Sequence, residues 1–215
     1  MNNDIIDGYI GSFEPELPEK LREIEDYARE KLVPIIRTES RTVLRFLINS
    51  KKPGRILEIG TAIGFSACYM ANISAPGTVI KTIEKMPERA EIAAENIKKT
   101  NFSDIIELLY GDACEIMQKL CDEGESFDFI FMDAAKAQYG NYLTYIKQLL
   151  RDDGILLTDN ILQEGSVAAS KFSVTRRDRT IHQRMREFLD VMMREKDFDS
   201  MIVPVGDGLL ISKKR

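Results

Sequence analysis

Apolar residues recur along this chain in two alternating rhythms. Short apolar runs of strand length occupy 55–59, 78–84, 105–110, 127–133 and 155–160. Between them the spacing is helical. Ser66, Ala67, Met70, Ala71 and Ile73 follow the first run, and Ala90, Ala93, Ala94 and Ile97 follow Pro87, which suits a first helical position. Further helical stretches are predicted from Ala113 to about Leu120, over 139–150, and within an Arg-rich segment, 172–196. Residues 1–50 read as helices before the sheet: one over 18–32, interrupted where Pro34 disfavours helix at Val33, and one over 40–48 with Val43, Leu44, Leu47 and Ile48 on its apolar face. Two last strands, 201–205 and 208–212, meet at Gly206-Asp207-Gly208, a hairpin turn signal. Strands alternating with helices and closed by a hairpin predict an α/β fold. Its sheet has seven strands, mostly parallel, with helices on both faces and one antiparallel strand near an edge. We expect one domain over 1–215, with a helical segment at 1–50 and the core at 51–215.

Composition narrows the class. The chain has 215 residues, 44% of them hydrophobic and 30% charged, so it can bury a sizeable core. No apolar run approaches the roughly 20 residues that span a bilayer, so no membrane partner is expected. The start, Met-Asn-Asn-Asp-Ile-Ile-Asp, lacks the basic and apolar regions of a signal peptide. Cys68, Cys114 and Cys121 are odd in number and lack metal-site spacing, which fits a reducing, cytoplasmic setting. A net charge of −5 argues against a protein that coats nucleic acid but leaves room for a local basic patch.

Candidate chemistry gathers at strand ends. Gly60, Ala62 and Gly64 form a tight turn between the first strand and its helix, where a helix N-terminus can receive an anion. Glu84 ends the next strand about 20 residues on, the place of a ribose-hydroxyl acceptor in nucleotide-binding α/β folds. Asp112, Asp133 and the pair Asp159-Asn160 end the following strands. Asp133, Asp159 and Asn160 supply hard oxygen ligands suited to Mg²⁺ or another divalent cation rather than zinc. The plainer alternative is that such acids cap strands and helices. Lys136 stands close enough in sequence to act as a base or as a fixed cation for an oxyanion. From Lys171 to Arg186 six cations, Arg176, Arg177 and Arg179 among them, face one acid, which suits either a phosphate backbone or a solvated helix face. His182 reads as a surface helix residue, Met185, Met192 and Met193 as core or dimer packing, and Tyr139 and Phe172 as core or base-stacking aromatics.

Together, residues 58–66 (Glu-Ile-Gly-Thr-Ala-Ile-Gly-Phe-Ser), Glu84, Gly111-Asp112-Ala113, residues 131–136 (Phe-Met-Asp-Ala-Ala-Lys) and Leu157-Thr158-Asp159-Asn160 resemble the metal-dependent, catechol-type class of S-adenosylmethionine O-methyltransferases. That resemblance implies a Rossmann-like methyltransferase fold. It implies that Glu58, Gly60 and Ser66 surround the methionine part of the cofactor, with Val33 closing over it. Glu84 would meet the ribose hydroxyls, and Asp112 and Ala113 the adenine. Asp133, Asp159 and Asn160 would hold Mg²⁺, and Lys136 with Asp133 would act in catalysis. The C-terminal run 202–215 and the basic stretch near residue 176 look most like a bacterial branch that methylates 5-hydroxyuridine at the tRNA wobble position. The expected partners are therefore tRNA and a second copy of the chain. The alternatives are the same chemistry on a small catechol or phenylpropanoid, and a nucleotide-binding protein without catalysis.

Overall fold

A computed structural model describes residues 3–170, 172 and 174–215, without the side chains of Asn3 and Asp4. Lys171, part of the predicted basic run, lies outside the described residues. Three helices precede the sheet: α1 (Asn3–Gly11), α2 (Glu19–Glu30) and α3 (Thr38–Lys51). Helix α1 was not expected; Ile5, Ile6 and Tyr9 leave much of its apolar surface in solvent, so it carries no clear two-faced pattern. The core then alternates: β1 (Arg55–Ile59), α4 (Phe65–Ile73), β2 (Val79–Glu84), α5 (Pro87–Lys99), β3 (Ile106–Tyr110), α6 (Ala113–Asp122), β4 (Phe127–Met132), α7 (Tyr139–Leu149), β5 (Leu150–Thr158), α8 (Arg179–Arg194), β6 (Phe198–Val203) and β7 (Leu209–Lys214).

The seven strands lie in the order β3-β2-β1-β4-β5-β7-β6. β7 alone runs antiparallel to its neighbours, inserted between β5 and β6 and so one place from the edge, as the hairpin predicted. Central strands are buried on both faces, which explains why β4 is apolar on both faces from Phe129 to Met132. Leu57, Ile59, Ile130 and Met132 face one core with α6, α7 and α8; Ile56, Phe129 and Phe131 face the other with α2, α3 and α4. This is a Rossmann-like, doubly wound α/β fold.

Helix α8 falls within the expected 172–196 segment. Two expectations shift. The strand expected over 155–160 begins at Leu150, with an irregularity opposite Phe127–Phe129 and Asp153 at φ +60°. And His182 is no surface residue: it is 2% exposed, its Nε2 lying 3.2 Å from the Ala169 carbonyl. Arg179, Arg184 and Arg186 lie close by in sequence, which hid the fact that positions 182, 185, 189 and 192 share the buried stripe.

Candidate active site

Sheet register brings the site together. Ile59 pairs with Ile83 on one side and Met132 on the other, and Met132 pairs with Thr158. The next residues of these strands, Gly60, Glu84, Asp133 and Asp159, therefore stand side by side at the carboxyl edge, where strand order reverses between β1 and β4. A cavity of about 730 Å³ opens over that edge. One end is lined by Gly60, Ser66, Glu84, Asp112 and Ala113, the other by Asp133, Lys136, Asp159 and Asn160.

Gly60, at φ +104°, cannot carry a side chain: a Cβ would come within 2.2 Å of the Asp133 carbonyl oxygen. Its neighbour is backbone, so what demands glycine here is the junction of β1 and β4. Glu84, 6% exposed, holds the same turn shut. Its Oε2 accepts the Ala62 N–H at 2.8 Å, and its Oε1 accepts those of Lys85 and Met86 at 2.9 and 2.8 Å. Asp112 caps α6 by accepting the Cys114 N–H at 2.9 Å and pairs with Lys85 at 2.8 Å; that ammonium holds its carboxyl below the usual range.

Glu58 lies beneath the cavity and does not line it. The Thr82 hydroxyl donates to its Oε2 at 2.5 Å, and Thr61 lies 2.5 Å from Thr82. Its Oε1 has no hydrogen-bond partner among the described residues. Full burial pushes this carboxyl up to about 7, countered only in part by the hydroxyls of Ser66 and Thr82. Val33 is half-buried in an adjoining groove, while Pro34, Ile35 and Ile36 reach the cavity itself.

At the other end Asn160, at φ +60°, turns back over the acids. Its amide donates to Asp133 Oδ1 at 2.9 Å, and its backbone N–H to Asp159 Oδ1 at 2.7 Å. Burial, then the charge of Asp133, pushes Asp159 up to about 7; burial also raises Asp133. Two neighbouring carboxylates that repel each other, Asp159 buried and Asp133 half-buried, beside an amide oxygen, suit a divalent cation that would neutralise them. Among the described residues no three His, Cys, Asp or Glu side chains form a metal cluster; the candidate set is two acids and an amide.

Two residues near this end were not anticipated. Arg37, just before α3, lines the cavity and favours the charged form of Asp159. Asp207 lies 3.6 Å from Lys136. Arg37 stands near no motif in sequence, and Asp207 reads there only as part of a hairpin turn. Of the basic run, Arg184 donates to the Ala137 carbonyl and Arg186 to those of Val167 and Ala169, so both serve the fold. Arg176, Arg177 and Arg179 are exposed and make no hydrogen bond or ion pair among the described residues. Tyr139 is core, edge-on to Phe188, whereas Phe172 is 77% exposed. Met185 and Met192 are buried and Met193 is half exposed.

The O-methyltransferase family profile matches residues 10–215, and the chain belongs to that family. Relatives include a catechol O-methyltransferase of Niastella koreensis, 29% identical over 78% of each chain. A caffeoyl-CoA O-methyltransferase of Eucalyptus gunnii is 28% identical over all of this chain and 89% of its own. Among solved structures, an O-methyltransferase from Bacillus cereus in complex with SAH superposes with a TM-score of 0.86, at 25% identity, over 98% of this chain and 97% of that one. Among the described residues no helix is long and apolar enough to cross a membrane.

Proposed function

We propose that this chain transfers a methyl group from S-adenosylmethionine to the 5-hydroxyl of a tRNA wobble uridine, with a divalent cation at Asp133, Asp159 and Asn160. The observation that carries the methyltransferase chemistry is the single cavity joining the Gly60–Glu84 end to the acidic end. The cofactor supplies a sulfonium methyl: a new C–O bond forms as the C–S bond breaks, and its electron pair stays on sulfur. A divalent cation at the acidic end would lower the proton affinity of the acceptor hydroxyl, as Mg²⁺ does for bound oxygens.

The chain's own residues do the positioning. Glu84 and Ser66 orient the cofactor, Asp112 and Ala113 flank its adenine, and Glu58 braces the turn from below. The hydroxyl proton leaves to water, and the Lys136 ammonium steadies the oxyanion left behind. The tRNA reading is supported by Arg176, Arg177 and Arg179, exposed and without an ion pair among the described residues, at the start of α8, a helix that Arg184 fastens to residue 137 next to Lys136.

The named relatives favour a second reading, the same transfer to a small catechol or a caffeoyl thioester. Purified protein with labelled S-adenosylmethionine and Mg²⁺ should methylate bulk tRNA, with 5-methoxyuridine found by mass analysis of its nucleosides. Label entering catechol or caffeoyl-CoA while tRNA stays unlabelled would replace the tRNA reading with the small-molecule one. A homodimer, also proposed, is checked by light scattering.

A further inference from the structure

The turn between β6 and β7 is wedged into the site. Gly206 and Gly208 both have positive φ, +59° and +83°, and both are pressed against neighbours. A Cβ at Gly206 would lie 2.7 Å from Ser40 Oγ, and one at Gly208 2.3 Å from Leu162 Cγ. Between them Asp207 points inward and is 8% exposed. Its Oδ1 accepts the Glu164 N–H, its carbonyl accepts the Leu162 N–H at 2.8 Å, and the Gly208 carbonyl accepts that of Ile161 at 3.1 Å. Its Oδ2 lies 3.6 Å from Lys136 Nζ. One acid thus fastens the segment that follows Asn160 and pairs with the lysine that follows Asp133.

A buried carboxylate is costly unless paired, and Lys136 is the cation within ion-pair distance of Asp207 among the described residues. The need is mutual. The Lys136 side chain is 30% exposed and long, with several rotamers to choose from, and makes no other ion pair among the described residues. We propose that Asp207 is a positioning residue for methyl transfer: it selects the Lys136 rotamer that places the ammonium at the acceptor end of the cavity. This rests on the reading in which Lys136 serves the acceptor oxygen.

Asp207→Asn separates the two bonds, because an amide oxygen can still accept the Glu164 N–H while the charge facing Lys136 is gone. Methyl transfer to bulk tRNA and to catechol is measured for Asp207→Asn, Lys136→Ala and the double variant of the full chain. Asp207→Asn should lower kcat about 10- to 100-fold, the scale of a misplaced catalytic group. Calorimetry should find cofactor affinity unchanged. In the Lys136→Ala background the added loss should vanish, since a residue acting through lysine has nothing left to position. A readout independent of any acceptor is the ¹³Cε resonance of Lys136, assigned by its loss in Lys136→Ala. Asp207→Asn should move it toward the shift of exposed lysines. An unmoved resonance, or an equal loss in both backgrounds, overturns the proposal. Lys136→Ala with wild-type turnover would instead sink the assigned role of Lys136, and this inference with it.

Discussion

Replacing Glu84 with Ala should injure two things at once, and the geometry allows them to be separated. The carboxylate has about four lone-pair directions, and three already accept backbone N–H groups of Ala62, Lys85 and Met86. One strong acceptor direction is left for a ribose hydroxyl. Hydrogen bonds to a charged group contribute roughly 1.5–3 kcal/mol each. Losing one to the cofactor should therefore raise its Kd roughly 10- to 150-fold. The turn suffers separately. Ala62 sits at φ +47° between two positive-φ glycines, so this segment leans on its anchor. Since the three bonds are not additive, about 3–5 kcal/mol of folding stability is a reasonable loss, to be read as a lower urea midpoint without cofactor. Glu84→Gln should fall between Ala and wild type, because one amide oxygen can keep only part of the acceptor set. An Ala variant with the wild-type urea midpoint would refute the anchoring role. Unchanged calorimetric affinity for S-adenosylmethionine would remove Glu84 from the cofactor site.

Other outcomes can be checked directly. EDTA or Asp159→Ala should abolish methyl transfer, with Mg²⁺ restoring only the EDTA-treated wild type; full turnover in EDTA would leave Asp133, Asp159 and Asn160 as strand caps. Glu58, raised from 4.5 to about 7 by burial, binds its proton more tightly folded than unfolded, so its contribution is present below pH 4.5 and lost as pH rises toward 7. Glu58 should account for about 3 kcal/mol of the fall in cofactor-free stability across that window, and Glu58→Gln should remove that share; identical pH profiles by urea titration would contradict it. Replacing Arg176, Arg177 and Arg179 with Ala should weaken tRNA binding and remove about 2 units from the slope of log affinity against log salt, with cofactor affinity unchanged. An unaltered slope in filter-binding titrations would assign those arginines to a solvated face.

Much of this protein is legible in its amino-acid sequence, because the signals are local. Period-two and period-3.6 spacing is written by burial on strand and helix faces, and the central strands sit at the heart of the sheet, where most residues are apolar on both faces for the same reason. Gly60, Glu84, Asp133, Asp159 and Asn160 all follow apolar runs directly, so a strand-end rule finds them without knowing which strands are neighbours. What the spacing does not convey is who touches whom. That Gly60 is glycine because of the Asp133 carbonyl follows from the β1–β4 pairing across more than 70 residues. That Glu58 lies under the cavity rather than in it depends on which way one β1 side chain faces. His182 reads as exposed in an Arg-rich segment and is buried, because α8 turns that stripe toward α7 and the sheet. Asp207 reads as no more than a turn residue; only insertion of β7 beside β5 carries it to Lys136. Local pattern reports the environment of each residue along its own element, and contacts between distant elements are decided by how those elements pack.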